Sequence, residues 1–145
     1  MASDFQLSVV IPAYNEADNF RRGVLAPMYD YLSARKYTSE VIIVDDGSTD
    51  DTVKLITSYI TDKPTWRLIA NPHQGKAQTV AKGISVAHHE AVLFTDFDQA
   101  TPIAEVEKLL PFLKRGYDIV IGSREIEGSQ REGEPWYRHF MGRGF

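Results

Sequence analysis

The chain contains no cysteine. Disulfides, thiolate-held metals and cysteine nucleophiles are therefore excluded. It also lacks any basic excess: 16 Lys and Arg against 20 Asp and Glu leave a net charge of −4, the wrong sign for a nucleic-acid surface. No nucleic-acid partner is expected. No apolar run approaches the ~20 residues that a membrane-spanning helix needs. The opening "MASDFQLSVVIP" shows no basic leader before a long apolar segment. That sets an expectation of no signal peptide and a cytoplasmic location. G-x-G-x-x-G is absent after the first apolar run, which removes a dinucleotide-binding dehydrogenase. His73, His88, His89 and His139 show no metal-ligand spacing and receive no role; His88 and His89 read as the exposed end of a helix.

What is present is an ordinary globular composition, 43% hydrophobic and 25% charged over 145 residues, enough for one sizeable core. Five short apolar runs rich in Val and Ile stand at residues 7–11, 41–44, 67–70, 91–95 and 118–122. Nearly continuous runs of this kind are how strands buried on both faces of a parallel sheet read. Between them lie helical spacings. Phe20, Val24, Met28 and Tyr31 mark a first helix, which Pro27 is expected to kink or split. Val53, Ile56 and Ile60 mark a second, Ala77, Val80, Ala81, Ile84 and Ala87 a third, and Ile103, Val106, Leu109, Leu110 and Leu113 a fourth. Strand–helix alternation of this kind predicts an α/β fold, a three-layer α/β/α sandwich with a mainly parallel sheet. Residues 1–124 form the expected domain. Residues 125–145 are read as a mobile loop followed by the start of an amphipathic segment, with Trp136, Phe140 and Phe145, that stops early.

Ligands of parallel α/β sheets bind beyond the carboxyl ends of the strands, and the unusual residues gather there. The five runs lead into "PAYNE" (12–16), "DDGSTDDT" (45–52), "NPHQGKA" (71–77), "DFD" (96–98) and "GSR" (122–124). Asp96 and Asp98 project to the same side if the backbone stays extended. Two such carboxylates repel unless a cation joins them, and hard oxygen donors select Mg²⁺ or Mn²⁺. The alternative is that one caps the helix near Ile103 and the other faces water; the strand-end position favours the cation. Ser48 with Asp51 three residues on reads as a capping box, which accounts structurally for Ser48, Asp50 and Asp51. Asp45 and Asp46 remain, either as acceptors for a base or ribose or as turn residues. Gly75 and Lys76 open a helix, where free N–H groups and a lysine favour an anion, though taken alone a solvated surface lysine is the commoner reading. Arg124 could grip a phosphate or face solvent.

Taken together, "SVVIPAYNEADNF", "VIIVDDGSTDDT", "GKAQTVAKGI", "DFDQATPIAEVEKLL" and "DIVIGSRE" resemble, in order and spacing, the nucleotide-binding half of a family 2 glycosyltransferase of the GT-A fold. The subgroup most similar is the polyprenyl-phosphate glycosyltransferases, which include the dolichyl-phosphate glucosyl and mannosyl enzymes. "DFDQATP" followed by "GSRE" resembles the glucosyl branch, with UDP-glucose as donor and GDP-mannose next. The resemblance implies that Pro12, Ala13, Tyr14 and Glu16, with Val44, Asp45 and Asp46, surround the base and ribose. It implies that Lys76 stands near the donor phosphates. Asp96 would touch ribose or metal, Phe97 would contribute backbone, Asp98 would be the principal Mg²⁺ or Mn²⁺ ligand, and Arg124 would hold a phosphate.

Two departures accompany it. Ala100 stands where mannose synthases can place a glutamine, and Phe97 replaces a small residue. The implied reaction is an inverting transfer of a hexose to a lipid phosphate, at the cytoplasmic face of a membrane that the C-terminal segment contacts peripherally. The alternatives are a donor-binding module inactive without its acceptor segment and a haloacid-dehalogenase-like phosphatase, for which Ala100 is the wrong residue.

Overall fold

The structure, a computed structural model, describes residues 5–123. Two compact units divide the chain, Met1–Lys108 and Leu109–Phe145. The first holds a four-stranded, all-parallel sheet. Its strands are β1 (Gln6–Ala13), β2 (Thr38–Asp45), β3 (Trp66–Ala70) and β4 (Ala91–Phe94), in the spatial order β3-β2-β1-β4. The register aligns Val10 with Ile42 and Phe94, and Ile43 with Leu68. Leu7, Val9, Val10, Ile11 and Val41–Val44 are essentially sealed from solvent. That burial on both faces explains why these strands read as unbroken apolar runs.

Alternate residues face opposite layers. Val10, Ile42 and Val44 form one core cluster with Ile69, Val86, Ala87 and Val92. Helix α4 (Lys76–Ser85) covers this face, with Gly83 set directly against Val10 and Val44. On the other face Trp66, paired with Val41, meets Tyr29 of α2 (Ala26–Ser33) and Tyr59 of α3 (Thr52–Ile60) edge-on. The expected first helix is indeed split, into α1 (Ala17–Arg21) and α2. The break falls at Gly23, whose φ is 78°, and Pro27 sits inside the first turn of α2, where its missing N–H is not needed. The fourth helical spacing begins as a 3₁₀ turn, Ile103–Glu105, and continues as α5 (Val106–Lys114), which starts in the first unit and ends in the second.

The fifth expected strand does not form: residues 118–122 are irregular, and Ile119 and Ile121 are 82% and 80% exposed. An apolar run becomes a buried strand only when a neighbouring strand takes up its N–H and C=O groups, and among the described residues none pairs with this one. The segment 125–145, with its expected loop and amphipathic start, lies outside the described residues. No helix among the described residues is long and apolar enough to cross a membrane.

Candidate functional site

The strand order reverses at β1. The chain steps outward from β1 to β2 and β3, then α4 carries it back across the sheet to β4 on the far side of β1. A crevice at such a switch point is where an α/β sheet binds its ligand. The loops following all four strands meet at this end.

Their connections are built from side chains that bond across loops. Asn15, in the left-handed region at φ 54°, accepts the N–H of Thr49 at 2.8 Å through Oδ1, while its own N–H donates to Ser48 Oγ at 2.9 Å. Asparagine tolerates that backbone region better than other non-glycine residues. Asp50 accepts the N–H of Thr52 at 2.9 Å and that of Ala17 at 3.2 Å, so one carboxylate serves the starts of both α3 and α1. The expected capping box is corrected here: Asp51 stands at the N-cap of α3 but makes no capping bond, its carboxylate pairing instead with Arg21 at 2.9 Å, and Ser48 is turned toward Asn15.

Asp45 ends β2, Asp46 follows it, and both are buried. Asp45 accepts the N–H groups of Gly47 and Ser48, each at 3.1 Å, which closes its own turn. Asp46 reaches the other way, to the loop after β3. It accepts the N–H groups of Gln74 and Gly75, each at 2.9 Å, and the Asn71 amide at 3.3 Å. Burial alone would raise the pKa of Asp46. The Gln74 N–H, the Thr79 hydroxyl, the Gly75 N–H and the Asn71 amide outweigh it and pull the value from 3.8 down to about 2. Asp46 is thus an anion held by the protein itself, and it fixes the loop from which Lys76 springs.

His73 Nδ1 lies 2.9 Å from Asp46 Oδ2, and its ring stacks on Tyr14 with centroids 4.4 Å apart and planes at 26°. Tyr14 is exposed, so the stacked pair forms an aromatic wall at the ends of β1 and β3. Sequence reasoning missed both Asn15 and His73. Asn15 carried a signal, an asparagine in a tight strand-to-helix turn; His73 carried none.

Lys76 begins α4, and its Nζ sits 2.5 Å from Asp96 Oδ1. Asp96 and Asp98 follow β4 and are exposed on either side of buried Phe97. Asp98 Oδ1 accepts the Ala100 N–H at 3.0 Å, and Gln99, at φ 53°, donates its amide to the Asp96 carbonyl at 2.6 Å. Among the described residues no third His, Cys, Asp or Glu joins the two aspartates into a protein-only metal cluster. Of the remaining expected residues, Ala13 and Val44 are buried strand positions and Pro12 is half-buried in β1. Glu16 is engaged by the Asn19 amide at 2.6 Å. Arg124 lies outside the described residues.

A parallel sheet whose strand ends carry an aromatic wall, buried aspartates, a Gly-Lys helix start and a D-x-D turn defines an α/β domain of the GT-A class. The chain belongs to glycosyl transferase family 2, whose family model matches residues 8–145. It is 35% identical to a dolichyl-phosphate beta-glucosyltransferase, ALG5C, of Trichomonas vaginalis, an alignment covering 99% of this chain and 46% of that protein. It is 30% identical to a dolichol-phosphate mannosyltransferase of Pyrococcus furiosus, over 96% of this chain and 39% of the relative. Among solved structures it resembles the mannosyltransferase PcManGT from Pyrobaculum calidifontis in complex with GDP-Man and Mn²⁺. That match has a TM-score of 0.54 and 31% identity, and covers 63% of this chain and 27% of the other. The chain spans less than half the length of these curated relatives. The family match sets aside the phosphatase alternative.

Proposed function

We propose that this chain is the donor-binding portion of an inverting, metal-dependent hexosyltransferase that uses a nucleotide-diphosphate sugar. UDP-glucose is the favoured donor, GDP-mannose is next, and a polyprenyl phosphate is the acceptor. The observation that carries the reading is the convergence of four loops at one sheet end, where the Lys76 ammonium already lies against Asp96 beside Asp98. The relatives' names, a dolichyl-phosphate beta-glucosyltransferase and a dolichol-phosphate mannosyltransferase, support the substrate class.

In this reading Tyr14 and its stacked partner His73 face the base, with Asp45 and the strand ends at Pro12, Ala13 and Val44 framing the ribose. Glu16 holds the β1–α1 turn through Asn19, and Asp46 holds the loop that aims Lys76. Asp98 and Asp96 fit a hard divalent cation, Mg²⁺ or Mn²⁺: they offer exposed carboxylate oxygens, and the shell is left for donor phosphates and water to complete. Such an ion acts as a Lewis acid for charge growing on the departing diphosphate. Lys76 adds a second positive charge at the same place. A lipid-phosphate oxygen is already anionic at neutral pH, because such groups have a second pKa of ~6, so no strong general base is needed. Arg124 is assigned to that phosphate. An acceptor of this kind places the full-length protein at a membrane face, reached through its C-terminal segment.

Calorimetric titration of the chain with UDP-glucose and with GDP-mannose, with and without Mn²⁺, tests the reading. The expected result is metal-dependent binding of one donor, weakened at least tenfold by Asp98→Ala. If a cooperatively folded sample binds neither donor in the presence of Mn²⁺, the reading is wrong.

A further inference from the structure

We infer that Lys76 is the resident counter-ion of the Asp96–Asp98 turn. A divalent cation and the Lys76 ammonium compete for Asp96 until a diphosphate draws the lysine away. The inference rests on the donor-site reading and adds to it a coupling between two ligands, with one named side chain carrying part of that coupling.

The geometry is asymmetric. Asp96 holds Lys76 Nζ at 2.5 Å, whereas among the described residues Asp98 is engaged only by the Ala100 N–H within its own turn. The lysine thus blocks one of two neighbouring carboxylates. Its anchor and its head behave differently. The backbone just before Lys76 is fixed, because Gln74 and Gly75 both donate to buried Asp46. The head stands at the end of a flexible four-carbon stem, and the Lys76 and Asp96 side chains are 60% and 57% exposed. An ion pair this exposed is weak. It can hold the turn while nothing else is bound and yet yield readily to a competitor.

Charge then decides the order of events. A divalent cation arriving alone must displace the ammonium from Asp96 and remain close to it, and like charges a few ångströms apart oppose each other. A diphosphate arriving with the cation gives the lysine another anion within reach of the same stem. Each ligand therefore improves the site for the other, and linkage makes the two effects equal in size.

The test reads metal and nucleotide separately, without turnover. Mn²⁺ binding to the full chain is followed by the electron paramagnetic resonance signal of free Mn²⁺, in the absence of nucleotide. The proteins are wild type, Lys76→Gln, and Lys82→Gln as a control for one lost charge on the same helix. UDP affinity is then measured by calorimetry at saturating Mn²⁺ and in EDTA. Lys76→Gln is expected to bind Mn²⁺ alone about two- to fivefold more tightly than wild type, with Lys82→Gln unchanged. The factor by which Mn²⁺ improves UDP binding is expected to shrink in Lys76→Gln by a similar amount. If wild type binds UDP with Mn²⁺ but Lys76→Gln holds Mn²⁺ no more tightly, or only as much more tightly as Lys82→Gln, the competition is refuted and the donor site stands. If wild type binds Mn²⁺ but no UDP, the donor-site reading fails and takes the coupling with it.

Discussion

At the scale of the residue, Asp46 shows how a buried carboxylate can organise the loop of a neighbouring strand. Its carboxylate is 3% exposed and satisfied by donors 25 to 29 positions along the chain. No spacing rule brings such partners together, so the sequence marked Asp46 as unusual but left open what it would bind. Because its folded pKa is lowered, its contribution to stability is complete above 3.8 and is lost as pH falls through about 2. A shift of that size corresponds to about 2 kcal/mol. Asp46→Asn keeps the volume but turns an amide toward N–H donors, so it should lose about 2–3 kcal/mol in urea unfolding at pH 7. Between pH 4 and pH 2 the wild type should lose stability faster than the variant. Parallel slopes in that window would show that Asp46 is not the anion described. The same substitution loosens residues 71–75 and should weaken donor binding as well.

At the scale of the element, β1 and β2 were legible because burial on both faces erases alternation and leaves Val–Ile runs, and the half-buried β3 and β4 because their short apolar runs are bounded by turn residues. Residues 118–122 carry the same composition and form no strand among the described residues, since composition records a preference for burial and not the presence of a partner. That the first helix would split was legible from Pro27, though the break itself falls at Gly23, which the sequence reading did not single out. Helix boundaries were misread where a distant bond won, as when Asn15 engaged Ser48 across 33 positions and left Asp50 to accept the Thr52 N–H. Gly83 carried no signal at all, yet it sets how closely α4 packs. A Cβ built there would stand 2.3 Å from Val10 Cγ1 and 3.2 Å from Val44 Cγ2. Alanine in a helix interior ordinarily gains about 1 kcal/mol over glycine. Overpacking of a sealed core costs about 1–3 kcal/mol, and a contact this short belongs at the upper end, so the clash wins. Gly83→Ala should therefore lower stability by about 1–2 kcal/mol, measured by urea unfolding. Pairing it with Val10→Ala should lose about 1 kcal/mol less than the sum of the single variants. Simple additivity would mean that α4 does not rest on Val10.

At the scale of the first compact unit, the two ends of the sheet do different work. The carboxyl ends of the strands carry exposed polar groups, Lys76, Asp96 and Asp98, where the donor site is proposed. The amino ends are tied by a polar knot around Glu40, which is in register with Ser8 and takes its hydroxyl at 2.6 Å. Glu40 also accepts the His88 N–H at 2.7 Å and pairs with Arg67 of β3 at 3.1 Å, while Arg67 reaches the Val86 carbonyl at the end of α4. His88, read from the sequence as the exposed end of a helix, is exposed but lies beyond α4, where it joins β2 to the approach to β4. Burial would raise the pKa of Glu40, but the Ser8 hydroxyl, the His88 N–H and Arg67 overcome it and hold the value below 4.5. Its contribution is therefore present above that value and is lost in acid. Because this knot and the donor loops sit at opposite ends of the same strands, stability and binding should separate by mutation. Glu40→Gln leaves Arg67 short of a counter-charge and should lower stability by about 1–3 kcal/mol, with UDP affinity at saturating Mn²⁺ unchanged within twofold. Asp46→Asn, at the other end, should lower both. Loss of UDP affinity in Glu40→Gln under conditions where it remains fully folded would overturn that separation. It would mean that the knot at the amino ends sets the strand positions on which the donor loops depend.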